Sequence, residues 1–110
     1  WGDGSPTRDF LYVEDIAEGL VLAAEKLAPP NYVNIGSGSE ISIRDLVHYI
    51  IKYSDFKGKV EFDATKSGGD ARRCTSSVKA ERMMGFRPTI VMEEGIKKTV
   101  EWYKSKLVPK

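Results

Sequence analysis

Apolar positions recur with a helical period in four stretches of this chain and cluster or alternate in three short ones between them. From Glu14 onward, Ile16, Leu20, Ala23, Ala24 and Leu27 share one face, and Glu14 and Asp15 occupy the first turn, where the helix dipole favours carboxylates. Pro29 and Pro30 end this element, because proline has no amide hydrogen to give a helix. A second helix starts at Ser42, placed to cap it with Asp45 three residues on, and Ile43, Leu46, Val47, Ile50 and Ile51 line its apolar side. A short third helix, capped by Ser76 or Ser77, runs through Met84 and closes at Gly85. The fourth spans about Met92 to Leu107 with Met92, Ile96, Val100, Tyr103 and Leu107 on one stripe, although Gly95 weakens its first turn.

The strand signals are shorter. Asp9–Val13 is aromatic and β-branched, Tyr32–Ile35 reads the same way, and Val60–Asp63 alternates like a half-buried strand. Asp3-Gly4-Ser5-Pro6 is dense turn chemistry, and a turn needs something before it, so the chain reads as a piece of something longer. Gly36–Ser39 and Ala64–Arg73 are polar, glycine-containing loops, and Phe56–Lys59 is a turn. The order strand, helix, strand, helix, strand, helix, helix predicts a mixed α/β packing, an α+β arrangement of short strands with about four helices.

At 110 residues the chain is a single domain, and 41% apolar with 30% charged residues is the profile of a soluble globular protein. A net charge of +1 leaves no global field to hold a polyanion. The most basic stretch, Lys57 to Arg73, carries only +2 once Glu61, Asp63 and Asp70 are counted, so no nucleic-acid partner is expected. Cys74 is alone, which removes intrachain disulfides and multi-cysteine metal sites and makes a reducing compartment the default. The longest apolar run, Gly19–Ala24, is far short of a bilayer span, so no membrane partner is expected and the expected location is cytoplasmic.

Any anion site must therefore be local, and Arg8, Arg72 and Arg73 are its candidates, because guanidinium groups bind phosphate in a planar, bidentate way. Three of them converging would suit a diphosphate, although Arg8 alone more often serves as a surface ion-pair partner and an Arg-Arg pair in a loop is usually just solvated. Trp1 offers a flat face for a base or sugar, but a terminal Trp reads more readily as a core residue of a longer fold. Other signals fail on inspection. The third glycine of a G-x-G-x-x-G loop starting at Gly36 and Gly38 would fall at Ile41. Tyr53 and Lys57 have Tyr-x-x-x-Lys spacing, but the pair sits where its helix ends. His48 lies off the apolar stripe with no ligand partner, and Cys74 has no partner for nucleophilic catalysis.

The run from Trp1 through Thr7-Arg8-Asp9-Phe10-Leu11-Tyr12-Val13-Glu14-Asp15-Ile16-Ala17 strongly resembles a block of the extended short-chain dehydrogenase/reductase family, the NAD-dependent epimerases and dehydratases of nucleotide sugars. The resemblance continues in order through Tyr32–Gly38, Ile41–Leu46, Phe62-Asp63, Gly69–Arg73, Lys79-Ala80, Met84–Pro88 and Glu93–Ile96, essentially the whole chain. Trp-Gly-x-Gly-x-Pro at the start and Phe62–Lys66 followed by Gly69–Arg73 look most like the GDP-L-fucose synthase subfamily.

The resemblance implies residues 1–110 as one carboxy-terminal, substrate-binding segment of a Rossmann-type enzyme, with Trp1, Arg8, Arg72 and Arg73 contacting a nucleotide-diphosphate sugar. Two positions depart from the pattern: Arg73 stands where relatives carry lysine, and Ser76 where they commonly carry aspartate. In that family the Gly-rich NAD or NADP loop and the catalytic Ser/Thr, Tyr and Lys precede this block. The implied segment thus has no catalytic, cofactor-binding or metal-binding residue of its own, and it binds no NAD(P) without an amino-terminal Rossmann partner region. Surface shaped for that partner would be exposed and apolar, so self-association into a homo-oligomer is expected. The alternative is a stand-alone binding or interaction module with the same fold and no enzymatic role.

Overall fold

The computed structural model describes residues 1–107. Four helices, α1 (Val13–Lys26), α2 (Ile43–Ser54), α3 (Val78–Met84) and α4 (Met92–Leu107), surround a small sheet of β1 (Thr7–Arg8), β2 (Ile41–Ser42) and β3 (Arg72–Arg73). The mixed α/β class and the four helices are those the periodicity predicts. β1 is central, antiparallel to β2 and parallel to β3, with Thr7 opposite Ser42 and Arg72, and Arg8 opposite Ile41 and Arg73.

The strands differ from the expected ones. Asp9–Val13, Tyr32–Ile35 and Val60–Asp63 join no ladder, whereas the two-residue β3 lies in the stretch that reads as a loop. Ladders this short leave no alternation for the sequence to display, and their position is fixed by flanking turns. The turn before β1 is held by the Asp3 carboxylate, which accepts from the Ser5 amide and hydroxyl at 2.9 and 2.6 Å. Gly2 and Gly4 take positive φ there, which side chains resist.

α2 is capped as its sequence predicts: the Ser42 hydroxyl accepts from the Asp45 amide at 3.0 Å. α3 ends at Gly85 in the left-handed conformation, with its amide donating to the Glu81 carbonyl at 2.9 Å. α2 packs on α4 and α1 packs on α3. Lys52 and Tyr53 of α2 meet Glu93 of α4, each at 2.6 Å, and Lys104 reaches Asp55 at 2.6 Å. The fully buried apolar residues are Ala80, Met84 and Phe86, wrapped by Leu11, Leu22, Ala23, Leu27, Val33 and Ile35.

α1 presents only part of the expected face to this core: Ala23 and Leu27 pack on it, while the helix is rotated toward Gly19 and Leu22. Gly19 faces Ile35 and Phe86 so closely that an added Cβ would sit 3.0 Å from each. Small residues allow that approach, and the buried Asp15 fixes the rotation. Ile16, Leu20 and Val21 consequently stay exposed, at 38, 60 and 56%. The described residues spread over 49 × 42 × 18 Å with a radius of gyration of 16.7 Å, against about 13 Å for a compact chain of this length. No helix among them is long and apolar enough to cross a membrane.

Candidate functional site

Successive strand residues point to opposite faces of a sheet, and partners across a parallel ladder point to the same one. The register therefore divides the three candidate arginines: Thr7 and Arg72 share one face, Arg8 and Arg73 the other. The hydrogen bonds agree. Glu40 accepts from Thr7 Oγ1 at 2.7 Å and from Arg72 Nε at 2.9 and 2.7 Å, with Arg72 Nη2 at 2.6 Å. Arg72 and then Thr7 hold the Glu40 carboxyl below its ordinary range. The expected three guanidinium groups thus start from opposite faces of the ladder, Arg8 and Arg73 on one and Arg72, engaged by Glu40, on the other.

Arg8 and Arg73 meet at Asp70. Arg8 is half-buried and its Nη1 donates to the carbonyls of Thr7 and Asp70, at 2.7 and 2.8 Å, while Arg73 Nη2 pairs with the Asp70 carboxylate. Among the described residues Arg8 has no carboxylate partner, so neutral carbonyls orient a partly desolvated cation without cancelling it. Gly69, at φ +75°, lays its backbone beside Arg8 Nη2. Gly68 lies against Gly2, where an added Cβ would sit 2.9 Å from Gly68 Cα. That contact brings the chain at Trp1, itself 85% exposed, to the loop that carries Asp70. An open depression of about 630 Å³ adjoins, lined by Gly38, Arg72, Arg73 and residues 74–78.

Asp9, part of the run that carries the family resemblance but not among the expected contacts, ties these pieces together. Its Oδ1 accepts from the Ser37 amide and hydroxyl at 2.9 and 2.5 Å, and its Oδ2 from the amides of Thr75 and Gly38 at 3.1 and 3.2 Å. Burial pushes its pKa up, but these donors outweigh burial and hold it below the ordinary aspartate range. The Gly36–Gly38 loop does not fit a dinucleotide: residues 31–35 form no strand before it, and a carboxylate already occupies its amides.

Tyr53 donates to Glu93, and Lys57 lies beyond the Asp55 cap of α2, so the two share no helical face. His48 and Cys74 are exposed. Among the described residues no three His, Cys, Asp or Glu side chains are grouped to hold a metal ion.

Residues 1–36 match the profile of the NAD dependent epimerase/dehydratase family. The chain is 43% identical over 107 residues to a GDP-L-fucose synthase of Sinorhizobium fredii, covering 96% of the chain and 33% of that protein. Its fold matches the UDP-glucose 4-epimerase of Thermotoga maritima, solved with UDP-glucose, at a TM-score of 0.88 and 28% identity over 98% of the chain and 35% of the epimerase. It also matches the Bordetella bronchiseptica enzyme WbmF, solved with NAD+ and UDP, at a TM-score of 0.81 and 35% identity over 94% of the chain and 30% of that enzyme. The chain spans about a third of the length of these relatives. The chain is thus similar to the NAD dependent epimerase/dehydratase family over residues 1–36 and, over about a third of their length, to GDP-L-fucose synthases in sequence and to a UDP-glucose 4-epimerase in fold.

Proposed function

We propose that this chain is the nucleotide-sugar-binding part of an NAD(P)-dependent epimerase, dehydratase or reductase acting on a nucleotide-diphosphate sugar, with a GDP sugar the first choice. The observation that carries the reading is Arg8: a half-buried guanidinium oriented by two carbonyls and offered no carboxylate among the described residues. Such a group gains most from a bound anion. Arg73, on the same face, supplies the second set of donors, which suits the two phosphates of a diphosphate. Trp1, exposed beside the Gly68–Asp70 loop, provides a stacking face for the base or sugar. Arg72 contributes only from the rim of the depression that it lines, because its guanidinium is engaged by Glu40.

The relatives support a nucleotide sugar as the ligand class, one being a GDP-L-fucose synthase and another an epimerase solved with UDP-glucose. The chain's own residues form no dinucleotide loop, so the reading assigns NAD(P) and the reacting groups to a Rossmann region of the kind these enzymes carry. Within that enzyme the chain binds and orients the substrate.

Calorimetric titration of the protein with GDP and with UDP, at low and moderate salt, tests this. Saturable binding that prefers GDP and weakens about tenfold or more in Arg8→Ala is expected, a loss typical of a charge-assisted hydrogen bond. Undiminished binding by Arg8→Ala, or no binding of either nucleotide by the product of the complete open reading frame, overturns it.

A further inference from the structure

We infer that Asp9 is a positioning residue for the diphosphate site, acting through Arg73. This rests on the reading of Arg8 and Arg73 given above. Asp9 follows Arg8 directly and grips the neighbouring strand on both sides of Cys74: its amide donates to the Arg73 carbonyl at 3.0 Å, and its carboxylate accepts from the Thr75 amide at 3.1 Å. These two contacts fix where the Arg73 backbone lies relative to Arg8. The same carboxylate takes the amides of Ser37 and Gly38, so it joins two walls of the depression beside Arg73, one carrying Gly38 and the other Thr75.

The fit leaves no slack. A Cβ on Gly36 would lie 2.6 Å from Thr75 Cβ and 2.9 Å from Asp9 Oδ2. Both oxygens of Asp9 accept from donors, and an amide in their place turns one acceptor into a donor facing other donors. Asparagine at this position therefore opens one side of the knot while keeping the side chain's size. Among the described residues no arginine side chain donates to the Asp9 carboxylate, so its effect on binding must pass through the strand it holds.

A double-mutant cycle on GDP affinity separates this from general loosening of the fold. Asp9→Asn is expected to weaken binding about tenfold with the stoichiometry unchanged, and Arg73→Ala by a comparable factor. The double variant is expected to be no weaker than Arg73→Ala alone, because the residue through which Asp9 acts is already gone. Fold losses that multiply in the double variant, or an Asp9→Asn protein that binds like the parent, overturn the assignment. A fall in stoichiometry without a change in Kd also overturns it, since that is the mark of a merely structural role.

Should Asp9→Asn not fold, Ser37→Ala removes one donor to the same carboxylate and takes its place in the cycle, with a smaller loss that also vanishes beside Arg73→Ala. A parent protein that binds no GDP overturns the site reading and this inference together. A binding parent with multiplying losses overturns this inference alone.

Discussion

Asp15 lies buried under the connection leading into α4, and Thr89 meets its carboxylate with both its amide and its hydroxyl, at 3.0 and 2.9 Å. Ile90 adds a third donor at 3.1 Å. Burial pushes the Asp15 pKa up, but these three bonds, with Lys98 nearby, hold it below the ordinary aspartate value of 3.8. Asp15→Ala leaves the donors unpaired and is expected to lower stability by about 1–3 kcal/mol, read by urea denaturation.

The same carboxylate gives a pH dependence with a fixed sign. Its folded-state pKa is below the unfolded one, so its contribution is complete above the ordinary aspartate value and disappears as pH falls through the folded value. Stability is expected to decline in that acid range. The decline should be shallower in Asp15→Asn; equal slopes for parent and variant would show that other carboxylates carry the effect.

Ser42 caps α2 at the point where β2 ends. Ser42→Ala is expected to cost about 1 kcal/mol. Hydrogen exchange should locate the loss in the first turn of α2.

Asp70 touches both site arginines with different atoms, its carbonyl to Arg8 and its carboxylate to Arg73. The Arg73 pair is exposed and weak, so a ligand phosphate can displace it. Asp70→Asn keeps the carbonyl and removes the competing charge, and GDP binding is expected to tighten about threefold. Weaker binding in this variant would mean that the carboxylate orients Arg73 for the ligand.

Val13, Ile16, Leu20 and Val21 form an exposed apolar stripe on α1. Light scattering is expected to show association that grows with concentration and is abolished by Leu20→Glu. A monomer at every concentration would remove the stripe as a contact between copies.

Helix positions were legible because each helix carries its own local signals: Ser42 and Gly85 mark boundaries, and α4 keeps a long apolar period. Which face of α1 turns inward was legible only in part. Ala23 and Leu27 pack as their spacing predicts, but of the larger apolar residues Ile16 and Leu20 stay outside, because close packing selected Gly19 and hydrogen bonding selected Asp15. Nor do two-residue strands show a pattern. Arg72 and Arg73 read as one cationic pair in sequence, and only the ladder shows that they serve opposite faces. Asp9 was hidden for another reason: its donors lie 28 and 66 residues away, beyond the reach of any local spacing.

The two site arginines sit on strands joined by a ladder of only two register pairs, Thr7 with Arg72 and Arg8 with Arg73. A diphosphate held by both would act as a noncovalent staple across that seam, linking residues 65 apart in the chain. Occupancy then becomes part of the folding equilibrium. At a concentration 100 times its Kd, such a ligand adds about 2.7 kcal/mol to the stability of the folded state. Ligand supply would then set the fraction of the protein that is folded, as well as how often its site is filled.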